Sequence, residues 1–212
     1  MGTIQKGILG GFSGKVGNVI GGSWKGIDYM RSVSSRKNAT TTQKQKEQQM
    51  KFALIARFQQ PLTNLLSRTF RSFAIKMTGA NSAMSYNLRN AITGSYPNFA
   101  INYSRILISR GDMPNAINPA VETVSDGMVV FTWVNNTGTG KSKDSDRSIL
   151  VAYCPEMQHF IYTDEGASRE EEEAQLDLFA YTGKEVQTWV AFISEDGKEV
   201  ATSIYTWAIT IL

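Results

Sequence analysis

From Val121 onward the chain is written as short apolar runs with turn residues between them, and this pattern constrains the fold more than any other feature. The runs are 128–134 (MVVFTWV), 148–153 (SILVAY), 159–163 (HFIYT), 175–181 (QLDLFAY), 186–193 (VQTWVAFI) and 202–211 (TSIYTWAITI). With a first strand near 121–124 they make seven. Val130, Thr132 and Val134 alternate with Phe131 and Trp133, and Trp189, Ala191 and Ile193 alternate with Val190 and Phe192. Alternation at period two, no helical periodicity and regular turn signals predict a β-sandwich. Glu195-Asp196-Gly197-Lys198 predicts a hairpin turn between the last two strands, because Gly after Asp supplies the positive φ such turns require.

Residues 43–60 (QKQKEQQMKFALIARFQQ) are helical in character, with Met50, Leu54 and Phe58 four apart, and Thr42 with Gln45 forms a weak capping box. Pro61 either kinks this helix or starts a new one at its first turn. Leu62, Leu65, Leu66, Thr69, Phe70, Phe73 and Met77 then follow the i, i+3, i+4, i+7 spacing of a second helix that Gly79 stops. Arg68, Arg71 and Lys76 fall on its other face, either as a solvated face or as a partner-binding stripe. Residues 81–93 predict a third helix capped by Asn81 or Ser82, GSYPNF breaks it, and 102–110 (NYSRILISR) reads as a strand. Pro114 and Pro119 bracket a short linker, where a domain boundary is expected.

Before the helices lies GILGGFSGKVGNVIGGSWKGIDYMRS (7–32), and nine of the chain's 18 glycines precede Met30. Glycine loses much backbone entropy on folding, so this density is hard to justify in an isolated helix or strand and suits an arm lying against another backbone. Residues 34–42 read as a polar linker. The fold class expected is therefore α+β: a glycine-rich basic arm and linker (1–40), a helical basic region with one strand (41–117), and a seven-stranded antiparallel β-sandwich (118–212). An apolar share of 42% in 212 residues is enough for a real core without staples.

Net charge is +3, but it conceals a polarity. Residues 1–118 hold 16 Lys+Arg against 3 Asp+Glu, or +13, whereas 119–212 hold 6 against 16, or −10. Such halves attract, within one molecule or head to tail between copies, and a basic half can also mark nucleic-acid contact.

Residues 128–211 look like a fibronectin type III or immunoglobulin-like domain. The likeness rests on Trp133 in the second strand, a strand with Leu176 and Leu178, and Thr182-Gly183-Lys184-Glu185 running into a strand of alternating aromatics. Val186 stands where such domains usually put a tyrosine that ties down the corner, and the acidic stretch 164–173 also departs from the pattern. This architectural resemblance implies no activity, since the fold serves many functions. The whole chain also resembles an uncharacterised Bacteroidetes family of unknown function. Its members open with a similar glycine-lysine-tryptophan arm and carry a sequence like SYPNFAINYSRILISRGDMP (95–114) before the β-domain. The resemblance supplies a family and no mechanism for any residue.

A phosphate-binding loop needs a glycine five residues before the Gly-Lys pair and a Ser or Thr after it. Ahead of Gly14-Lys15 that position is Leu9 and Val16 follows; ahead of Gly140-Lys141-Ser142 it is Asn135, in a loop between strands. One histidine, His159, and one cysteine, Cys154, make neither a zinc cage nor a recognisable triad. Cys154, inside an apolar run, reads as a buried inert thiol. Glu165 and Glu170, Glu171, Glu172 and Glu173 lack the spacing of a calcium loop and read as a solvated acidic loop or an electrostatic docking patch. No catalytic, cofactor or metal residue is expected, and no enzyme activity.

The expected function is a structural or assembly protein that meets another copy, head to tail, or another protein. Its partner-binding residues are Lys15, Trp24, Lys25, Tyr29 and Arg31 in the arm, Arg68 and Arg71 on the helix, and the four glutamates 170–173. The alternative is a nucleic-acid binder using the basic half, with Trp24, Tyr29 or Phe52 stacking on bases. No run approaches a membrane span. Lys15 and the glycines interrupt the opening apolar patch short of a signal-peptide core. Cytoplasmic synthesis is expected, with release as part of an extracellular or phage-like assembly by lysis or a dedicated exporter.

Overall fold

The glycines of the first segment punctuate strands instead of replacing them. In a computed structural model, which describes residues 2–4, 11–24, 26–34 and 40–212, the chain falls into two units, Met1–Gln43 and Lys44–Leu212. The first contains β1 (Thr3–Ile4), β2 (Phe12–Val16), β3 (Val19–Trp24) and β4 (Ile27–Ser32), an antiparallel sheet in that order. The segment read as a glycine-rich arm thus carries strands paired with one another. Val16 pairs with Val19 across a two-residue loop whose Gly17 has φ +58°, a conformation nearly free for glycine. Gly21 serves close approach, since a Cβ there would lie 2.2 Å from the Phe12 carbonyl oxygen.

In the second unit α1 (Gln43–Gln59), a 3-10 turn at Gln60–Leu62 carrying Pro61, and α2 (Thr63–Thr69) follow without a break. The second helix was expected to reach Met77 and stop at Gly79; instead α2 ends at Thr69, whose hydroxyl lies 2.8 Å from the Ile108 carbonyl oxygen. Gly79 opens α3 (Gly79–Asn90), where its lack of a side chain lets the helix approach the Ser67 carbonyl. The cap is Thr78, whose hydroxyl accepts from the Asn81 N–H at 3.2 Å, so neither Asn81 nor Ser82 fills that role.

The GSYPNF break is a hairpin, β5 (Ile92–Ser95) with β6 (Asn98–Ile101). The strand expected over 102–110 is absent. Its place is taken by a 3-10 turn, Tyr103–Arg105, and a segment held by side chains. Asn87 bonds both the N–H and the C=O of Leu107 at 3.0 Å, and the Ser109 hydroxyl donates to the Ala201 carbonyl at 2.7 Å. Ile106 and Ile108 are buried there as a strand would bury them, but their backbones have no ladder partner.

The remaining strands are β7 (Ile117–Thr123), β8 (Met128–Val134), β9 (Arg147–Cys154), β10 (His159–Thr163), β11 (Glu173–Asp177), β12 (Glu185–Ile193) and β13 (Ile204–Thr210). They form two antiparallel sheets, ordered β11-β8-β7 and β10-β9-β12-β13. Val129, Phe131 and Trp133 of β8 meet Leu150, Ala152, Val190 and Phe192 in a core between the sheets. The intervening residues Ile149, Val151, Tyr153, Trp189 and Ala191 point the other way, into a second core with Ile55, Phe58, Leu62, Leu66 and Phe70 of the helical run. The four-stranded sheet is therefore covered on both faces, and β12 from Val186 to Ile193 is wholly buried. The regions read from sequence as 41–117 and 118–212 share this unit from Lys44 on.

One ion pair sits inside the unit. The side chains of Arg169 and Asp146 are 0% and 1% exposed, with Nε to Oδ2 at 3.2 Å. Arg169 also donates to Asn136 Oδ1 at 2.7 Å and the Pro114 carbonyl at 3.1 Å, and its guanidinium lies 4.2 Å from the centre of the Phe192 ring. Burial pulls the Arg169 pKa below its usual value, and Asp146 opposes that pull. Removing one partner of such a pair strands the other, so Arg169→Ala should cost about 3–5 kcal/mol in urea unfolding of the full chain. Arg169→Lys should recover little, because an ammonium cannot serve three acceptors through a rigid fork.

Tyr181 is fully buried, its hydroxyl 2.7 Å from His159 Nδ1, and burial, aided by Cys154, pushes its pKa from 10 to about 12. A phenol that ionises later in the folded state contributes stability that is whole below pH 10 and lost as the pH rises through 12. Urea midpoints measured across that window should fall in the wild type and fall less steeply in Tyr181→Phe.

Candidate interaction surface

Strand register decides which arm residues stand together. Lys15 pairs with Ile20 and Ile20 with Arg31; Gly22 pairs with Tyr29 and Trp24 with Ile27. Directly paired residues share a face and neighbours along a strand alternate. Lys15, Trp24, Ile27, Tyr29 and Arg31 therefore occupy one face of the N-terminal sheet, and the Tyr29 ring lies over Gly22, where a Cβ would meet it at 3.0 Å. Trp24, Ile27 and Tyr29 are 55%, 56% and 48% exposed. Among the described residues of this unit only Gly21 is buried. By sequence the unit holds six cations against Asp28. Four of the five arm residues singled out above thus share a surface; the fifth, Lys25, lies outside the described residues.

The candidate residues of the second unit behave differently. Arg68, at the end of α2, is exposed but forms an ion pair with Asp164. Arg71 lies exposed in the following 3-10 turn. The glutamates have local tasks. Glu171 accepts from the Ser168 N–H at 2.7 Å and its hydroxyl at 2.8 Å, bonds that hold its pKa below the usual range. Glu172, at φ +56°, accepts from the Asn135 N–H at 2.8 Å. Glu173 opens β11, and Glu170 is exposed. What the acidic run encloses is Arg169, which sequence reasoning passed over; one arginine directly before four glutamates was the signal for it.

Other sequence features resolve locally. Ser142 of the Gly-Lys-Ser loop donates to carbonyls of its own loop, and Lys141 reaches Glu199 at 2.7 Å. Cys154 is buried in the core between the sheets. Among the described residues no three His, Cys, Asp or Glu side chains stand together to hold a metal ion. None of their helices is long and apolar enough to cross a membrane. Reasoning along the chain also missed Arg57, Tyr103 and Tyr153, which line one cavity but carry no local signal, being far apart in sequence.

The family model for DUF6266, described as a family of unknown function, matches residues 11–207. The chain belongs to that family. The DUF6266 match begins within the N-terminal unit and ends in β13, so it takes in the basic aromatic face as well as the sheets. No curated protein matches the chain.

The Arg68–Asp164 pair, with side chains 54% and 27% exposed, offers a direct check that this cation is dispensable for folding. Arg68→Ala should change unfolding free energy by at most about 1 kcal/mol in a urea titration.

Proposed function

We propose that this DUF6266 protein is a non-enzymatic structural or assembly subunit whose N-terminal sheet docks, in trans, on the acidic C-terminal half of a second copy. The observation that carries the reading is the shared face of Lys15, Trp24, Tyr29 and Arg31, on a sheet in which no large side chain of the described residues is buried. A few short strands without a covered apolar face are marginal in water, and Trp, Tyr and Arg are the side chains interfaces favour. Charge supports the acidic receptor: residues 119–212 hold 16 Asp+Glu against 6 Lys+Arg. Different patches on the two partners make a heterologous contact, and its repetition gives rings or filaments. A filament, cell-surface or virion component, made in the cytoplasm of a bacterium, fits that geometry.

Three strands ordered β11-β8-β7 facing four ordered β10-β9-β12-β13 support an immunoglobulin or fibronectin type III-like sandwich, a common module of extracellular and assembly proteins. The same N-terminal face favours one alternative, nucleic-acid binding, with Trp24 and Tyr29 stacking on bases while Lys15 and Arg31 meet phosphates.

Size-exclusion chromatography and negative-stain microscopy of the full chain, at low and high salt, test the reading. Assembly predicts large species at low salt that dissociate at high salt and are lost in a Trp24→Ser/Arg31→Glu variant. A chain that stays monomeric yet binds single-stranded DNA in a salt-sensitive way supports the alternative. A monomer that binds nothing sinks both.

A further inference from the structure

Three separated segments of the second unit converge on a cavity of about 330 Å³. Leu54, Arg57 and Phe58 come from α1, Tyr103 from the turn after β6, and Tyr153 and Gln158 from β9 and the turn after it. That volume lies at the small end of ligand sites, roughly 300–1,000 Å³. Phe58, Tyr103 and Tyr153 touch one another, with ring centres 4.9 to 6.2 Å apart, and make a continuous aromatic wall. No carboxylate lines the cavity. Among the described residues the Arg57 guanidinium has no ion pair or hydrogen bond, and neither tyrosine hydroxyl has a hydrogen-bond partner.

We infer that this cavity binds a small aromatic monocarboxylate, its ring against Phe58, Tyr103 and Tyr153 and its carboxylate on Arg57. A single unneutralised cation with no acid among the lining residues selects a monoanion, and the guanidinium fork matches a carboxylate in two-point contact. Edge-on contacts with the wall favour a planar ring over a branched aliphatic body. Burial first, then the neighbouring Tyr153, Tyr205 and Glu185, push the Tyr103 pKa to about 12, so its hydroxyl remains a proton donor toward an anion at neutral pH. The inference is independent of the N-terminal sheet and stands whether or not the protein assembles.

The test is titration of the full-length protein with phenylacetate, the neutral phenylacetamide and the cationic phenethylamine, by calorimetry and saturation-transfer NMR. Phenylacetate should bind roughly tenfold or more tightly than the amide, the worth of one charge-assisted contact, and the amine should not bind. Arg57 is exposed, so Arg57→Gln should keep the thermal midpoint while bringing the acid to the affinity of the amide. Ala100 is an exposed lining residue, and Ala100→Trp should fill the space and remove both. Equal binding of acid and amide, an Arg57→Gln variant that binds the acid undiminished, binding that survives Ala100→Trp, or no binding at all would overturn the inference.

Discussion

The Arg169 guanidinium, out of water beside Asp146, ties together the loops that meet at one end of the two sheets. Its three donor directions reach Asp146, Asn136 and the carbonyl of Pro114, and its own carbonyl accepts from the Trp133 indole at 2.9 Å. Three connecting segments are thereby referred to one point, with the Phe192 ring beneath. A buried pair of this kind repays its desolvation only when nearly every polar atom finds a partner, and Asp146 Oδ1 is the atom left over. Its worth lies in fixing where loops run more than in net stability. The acidic run that follows Arg169 belongs to the same construction, since Glu171 and Glu172 tie the turn around it.

The second constraint is that β9 and β12 have no solvent face. Successive side chains of a strand point to opposite sides, and here each side meets a core, one shared with β8 and β11 and the other with α1, α2 and α3. The helices therefore cover the sheet and do not form a region of their own. The same sharing builds the aromatic wall of the cavity, because Phe58 reaches Tyr153 across the boundary between helix and sheet. The N-terminal sheet has no such cover among its described residues, and its Trp24, Ile27 and Tyr29 stay exposed.

Much of this was legible along the chain. The period-two runs marked most strands of 118–212 to within a residue or two, and β10 coincides with its predicted span, because strand identity depends on alternation and turn chemistry that neighbours in sequence carry. Misreadings fell where a residue has two uses. Gly79 has the local look of a helix stop and is a point of close helix approach; the β-branched 102–110 has the composition of a strand and is pinned by Asn87, Ser109 and Ser203. The glycines before Met30, hard to justify in an isolated strand, supply the turns and close contacts of strands paired with one another. Trp189, Val190, Ala191, Phe192 and Ile193, read as alternating, are apolar at every position, and the structure buries both of their faces.

By itself, then, the sequence determined the class of structure, the opposite charge of the two halves and the presence of aromatic and basic residues in the arm. These follow from composition and local periodicity, which need no knowledge of distant contacts. Only the tertiary structure decided that the helical run and the strands share a core, that Arg169 is inside, that Lys15, Trp24, Tyr29 and Arg31 share a face, and that Arg57, Tyr103 and Tyr153 line one cavity. Each of those depends on strand register or on segments dozens of residues apart meeting, and neither is written in any single stretch of chain.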